Sequence, residues 1–106
     1  MEEIIIHALV VKRLNNLLDV LLYQGYFVEE ENAIAYLKNI RNFIEFIPTQ
    51  RHRPTINPKY GSWYCEYKPN RRTSWFVTFD KKGHRYIVRN LINNHTKEYP
   101  AFIKGL

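Results

Sequence analysis

The period of the apolar residues changes along this chain, and that change limits the possible folds more than any other feature. Leu14, Leu17, Leu18, Leu21 and Leu22 recur at i, i+3, i+4, i+7 and i+8, the spacing of one helix face. Lys12, Asn15, Asn16 and Asp19 take the opposite face. Gly25 suits the left-handed position that closes a helix. Glu29, Glu30 and Glu31 follow, where acids oppose the positive end of a helix dipole. Ala33, Leu37, Ile40, Ile44 and Ile47 form a second apolar stripe, flanked by Ile34, Tyr36 and Phe43, and Pro48 stops it. Two helices with a short connection read as an antiparallel hairpin.

The rest of the chain has the shorter period of strands. Ile4-Ile5-Ile6 reads as a first strand. Residues 49–61 are irregular, with two prolines and a glycine, and a loop of that length suggests function. Strands are expected over 62–67, 73–79 and 84–92, with Asp80-Lys81-Lys82-Gly83 as a hairpin turn. The tail from His95 is expected to turn helical. A chain of 106 residues is one domain. The expectation is therefore an α+β domain over 1–106: an N-terminal strand and a two-helix hairpin packed on an antiparallel sheet of about four strands. Leu14, Leu18, Leu21, Leu37, Ile40 and Ile44 are its expected core.

Charge divides along the same line. Residues 51–106 hold twelve Lys/Arg against three Asp/Glu, a surplus of nine. Residues 1–50 hold four against seven. A basic, aromatic-rich sheet beside a mildly acidic helical half suggests a surface that meets a polyanion. The single cysteine, Cys65, excludes an internal disulfide and any Cys-rich zinc site, and such usage fits a reducing cytoplasm. No apolar run approaches the roughly 18 residues of a membrane span. Glu2 and Glu3 stand where the basic region of a signal peptide would be. The expectation is a cytoplasmic protein that meets nucleic acid, an acidic protein, or both, and no membrane. No cofactor or metal is expected. Phosphate-binding glycine loops, Gly-x-Ser-x-Gly and His-Glu-x-x-His are absent from the sequence.

Strand alternation then sorts the chemistry. On the last strand Tyr86, Val88 and Ile92 point one way, and Arg85, Ile87, Arg89, Leu91 and Asn93 the other. Arg71 and Arg72 stand at the entrance of the preceding strand, so the hairpin is expected to bring Arg72 towards Arg89, Asn93 and His95. Such a cluster suits metal-independent RNA cleavage: a base for the 2′-hydroxyl, an acid for the 5′-oxygen, and cations on the phosphate. A solvated sheet face explains Arg85 and Arg89 equally well. Trp63, Trp75, Phe76 and Phe79 read as core rather than as base-stacking platforms, and Cys65 as a small buried hydrophobe.

The order of elements, with Thr73-Ser-Trp-Phe-Val-Thr-Phe79, the Gly83 turn, Tyr86-Ile-Val-Arg89 and the closing Asn93-Asn-His-Thr-Lys-Glu-Tyr99, resembles the RelE/ParE toxin superfamily of bacterial type II toxin–antitoxin systems. The resemblance covers nearly the whole chain. It implies a toxin that arrests growth as an mRNA interferase, an endoribonuclease acting at the ribosome. By that similarity His95 and Tyr99 take proton-transfer or stacking positions and Arg72 a phosphate-binding one; the hairpin geometry adds Arg89 to the expected catalytic set. Lys68, Arg71, Arg85 and Lys97 complete an RNA-binding surface. The implied partners are a cognate antitoxin, in a toxin–antitoxin hetero-oligomer, and RNA or the ribosome. ParE-type members share the fold and inhibit DNA gyrase without cleaving RNA. That alternative, and a plain nucleic-acid-binding module, stay open at the level of sequence.

Overall fold

The computed structural model describes residues 2–23, 25 and 29–104. The chain runs β1 (Glu3–Ile6), α1 (Ala8–Tyr23), α2 (Glu30–Glu45), β2 (Arg53–Pro54), β3 (Trp63–Tyr67), β4 (Trp75–Lys82), β5 (Arg85–Asn93) and α3 (Tyr99–Lys104). Short 3₁₀ turns occupy Ile47–Thr49 and Pro58–Tyr60. The five strands form one sheet in the order β1-β5-β4-β3-β2. The α+β class holds. The all-antiparallel sheet of about four strands does not.

Two elements account for that difference. β1 lies parallel to β5, with Ile4 opposite Tyr86 and Ile6 opposite Val88, because the chain leaves β1 through the helical hairpin and returns to its side only at the last strand. β2 is a two-residue strand inside the segment read as irregular, with Arg53 opposite Tyr64. Pro54 has no N–H to donate, which confines it to an edge.

The helical hairpin packs on one face of the sheet. Val10, Leu14, Leu17 and Leu21 from α1 and Ala33, Ile40 and Ile44 from α2 are buried against Trp75, Val77, Phe79, Tyr86, Val88 and Leu91. Leu18 and Leu37, expected fully in the core, lie partly buried at its margin. Gly25, at φ +73°, stands just beyond α1, and its N–H donates to the carbonyl of Leu22. The other face is covered too. Residues 49–61 wrap the β2 edge: His52 packs edge-on to Trp63 and Phe79 on the hairpin side, while Tyr60 joins Phe76, Ile92 and Phe102 on the far side. α3 supplies Phe102 to this second core. β4 is buried on both faces from Trp75 to Phe79 for that reason.

Strict alternation fails on β5. Thr78 pairs with Asn90 and Phe79 with Val88, so the register skips Arg89. This β-bulge reverses the parity beyond it. Leu91 joins Val88 and Tyr86 under the helices, and Ile92 faces α3, opposite to the expected assignment. The turn also comes later than expected: Lys81 and Lys82 remain paired, and only Gly83 and His84 turn.

Candidate nucleic-acid interface

The site grows from asparagines that fix two neighbouring segments where β4 begins and β5 ends. Asn70 Oδ1 accepts the backbone N–H groups of Arg72 and Thr73, both at 2.9 Å. Asn94 crosses between the segments: its Oδ1 accepts the Ser74 N–H at 3.0 Å and its Nδ2 donates to the Arg72 carbonyl at 2.9 Å. Asn93 Oδ1 accepts the His95 N–H at 2.8 Å. Ser74 Oγ donates to Glu66 at 2.7 Å. Short polar side chains that bond nearby backbone hold irregular chain as firmly as a ladder does.

These bonds stand Arg72 and His95 on adjacent segments beside a cavity of about 670 Å³. Its walls include Leu17 and Val20 of α1, Tyr36 of α2, Trp75, Asn93 and His95. Trp75 Nε1 donates to the Tyr36 hydroxyl at 2.8 Å, joining sheet to helix. Arg13 closes one end. Its guanidinium donates to Asn90 Oδ1 (3.0 Å), to the Leu91 carbonyl (2.8 Å) and to Glu98 (2.6 Å). A cavity of this size with a few polar groups among apolar walls has the make-up of a ligand site.

The predicted residues divide into two groups. Lys68, Arg71, Arg72, His95 and Lys97 are exposed at this end of the sheet. Arg71 and Arg72 fall between the cavity-lining Asn70 and Thr73, and Lys97 between Thr96 and Glu98. Among the described residues, no carboxylate comes within 4.0 Å of any of these four cations. The second group is held elsewhere. Arg89 pairs with Asp80 at 2.9 Å and lies four residues before Asn93, roughly 13 Å away along the strand. Arg85 stands 3.6 Å from Glu3 at the β1 edge. The Tyr99 ring stacks on Phe76 with centroids 5.5 Å apart, on the face away from Trp75. The structure sets His95 and Arg72 on adjacent segments and holds Arg89, Arg85 and Tyr99 elsewhere.

Asp80 explains why Arg89 is engaged. Burial pushes its carboxyl up, but hydrogen bonds from Arg89 and from the Ser62 hydroxyl and N–H, with the charge of Arg89, together hold it below the ordinary carboxylate range. Burial pushes the Cys65 thiol up to about 11. No described group of three or more His, Cys, Asp or Glu is placed to hold a metal ion. No described helix is long and apolar enough to cross a membrane.

Sequence reasoning placed Asn93 in the cluster but missed Arg13, Asn70 and Glu98 as parts of the site. Nothing in the helical period singles out Arg13. Its partners lie 77 to 85 residues away, so no local pattern marks it. Asn70 did carry a signal: Pro69-Asn70 before two arginines is turn chemistry. No family model matches the chain, and no curated protein or solved structure matches it.

Proposed function

We propose that this chain is a RelE/ParE-like toxin domain that binds single-stranded RNA across the β4–β5 end and cleaves it there, with a cognate antitoxin as its partner. The observation that carries this is the division of the cations. Arg85 and Arg89 are matched by carboxylates, whereas Lys68, Arg71, Arg72 and Lys97 are exposed at the cavity's end of the sheet with no described carboxylate within 4.0 Å. Unmatched cations on ordered loops are what a phosphate chain needs. The order of one strand, two helices and then the β3–β5 strands agrees with the order of elements on which the resemblance rests.

In this proposal Arg72 donates to the phosphate oxygens as charge builds on them. His95 takes the proton of the 2′-hydroxyl as its oxygen attacks phosphorus. The bond to the 5′-oxygen breaks, that oxygen leaves as a hydroxyl with a proton from bulk water, and His95 returns its own proton to water. The products are a 2′,3′-cyclic phosphate and a 5′-hydroxyl end. His95→Ala is expected to lower cleavage roughly 10²–10⁴-fold and to relieve growth arrest while the protein stays folded.

One observation favours a non-enzymatic inhibitor of a protein such as DNA gyrase. Tyr99 and Arg89, half of the expected catalytic set, are engaged away from His95. RNA ends and plasmid supercoiling compared after induction separate the two. Intact mRNA with altered supercoiling overturns the ribonuclease proposal.

A further inference from the structure

The cavity beside His95 holds more unengaged donors than the packing of the domain requires. Asn93 is 9% exposed, and its Oδ1 is taken by the His95 N–H. Its Nδ2 has no hydrogen-bond partner among the described residues, and the residue lines the cavity. Asn70, an exposed residue of the lining, uses its Oδ1 to accept two backbone N–H groups and has Nδ2 left over. No buried side-chain nitrogen or oxygen among the described residues lacks a partner, so both amide N–H₂ groups reach solvent and can meet a ligand acceptor without breaking a protein hydrogen bond. The walls between them are flat or apolar, from Trp75, Leu17 and Val20. Two amide donors on the lining, an indole and aliphatic walls suit a planar, acceptor-bearing group. The unmatched cations at the same end of the sheet call for phosphate on that same molecule.

We propose that this cavity is a nucleobase subsite: it takes one unstacked base of a single-stranded RNA, with Asn70 and Asn93 donating to the base's carbonyl or ring-nitrogen acceptors, while Arg71, Arg72 and Lys97 hold the flanking phosphates. The proposal deepens the RNA reading above and rests on it. Base contacts of this kind add selectivity to a phosphate grip that carries none.

The test uses the ¹⁵N-labelled full chain in NMR titrations with uridine 5′-monophosphate, adenosine 5′-monophosphate, ribose 5-phosphate and a short single-stranded RNA. Either nucleotide is expected to bind about tenfold or more tightly than ribose 5-phosphate. It should shift the Asn70 and Asn93 side-chain amide signals and the Trp75 indole signal. Ribose 5-phosphate should shift only backbone signals near Arg71, Arg72 and Lys97. Val20→Tyr, at a position 40% exposed on the cavity rim, should abolish the preference for nucleotide over sugar phosphate. RNA binding with nucleotide and sugar phosphate equal, or with the three reporter signals unmoved, overturns the subsite alone. No shift with any of the four probes overturns the RNA reading along with it.

Discussion

Arg72 and Arg89 carry the same guanidinium on neighbouring parts of one hairpin, yet only Arg72 is open to an anion. The difference is Asp80, whose carboxylate lies 2.9 Å from Arg89 and also accepts the Ser62 N–H and hydroxyl. Its carboxyl is held below the ordinary range, so the pair stabilises the fold above the unfolded value of about 3.9 and loses that contribution as pH falls through the lower folded value. Asp80→Asn should therefore be less stable than wild type at pH 7, by about 0.2–1 kcal/mol for a partly exposed pair. The gap should close in acid, and urea unfolding at pH 7 and pH 3 measures it. Cys65 offers a second check. It is 1% exposed with its thiol pushed up to about 11, so little reactive thiolate forms near neutral pH. Iodoacetamide at pH 8 should leave native protein unmodified and label it fully in urea. Rapid labelling without denaturant would place Cys65 outside the core.

The last strand shows how one element can defeat a sound rule. Alternation holds from Arg85 to Val88 and fails at Arg89, where the bulge adds a residue. Gly61 belongs to the same device. It has φ +127°, and an added Cβ there would meet the Phe79 carbonyl oxygen at 3.3 Å and Arg89 Cδ at 3.6 Å. Gly61→Ala should cost about 1–3 kcal/mol through its backbone conformation. It should also disturb the Arg89–Asp80 pair, visible as a changed Arg89 side-chain NMR signal. The helices follow their stripes more simply. Leu14 is 4% exposed and Ile44 fully buried, and truncating either to Ala should cost about 2–5 kcal/mol. A loss below half a kcal/mol at both would place the hairpin off the sheet.

For the whole molecule, the surplus of nine cations over residues 51–106 overstates what an RNA strand would meet. Arg85 and Arg89 are matched, and Lys81 leans on the Tyr86 ring at 5.3 Å. Four of the cations without an ion pair, Lys68, Arg71, Arg72 and Lys97, gather at one end. Binding to single-stranded RNA should weaken with salt at a log–log slope of about −0.7 per phosphate contacted, so about −3 for four contacts. Arg71→Ala or Arg72→Ala should each flatten the slope by about 0.7, and Arg85→Ala should not alter it. Equal effects from Arg72 and Arg85 would spread the interface over the whole sheet.

The sequence by itself determined the two helices, the three long strands and the basic character of the second half. Those follow from periodicity, helix-stopping residues and charge, which act within a few residues of chain. Leu14, Leu21, Ile40 and Ile44 could be named as core for that reason. Only the tertiary structure decided that β1 pairs parallel with β5, that a bulge at Arg89 turns Leu91 inward, and that α3 buries the second face. It alone placed Tyr99 away from His95 and tied Arg13 to Glu98. Each of these depends on which distant groups meet when the sheet closes, and pairing across 77 or more residues leaves no local mark in the chain. The candidate site was legible in its cations, because charge can be counted. Which of them remain free was not, because a salt bridge belongs to two places in the sequence at once.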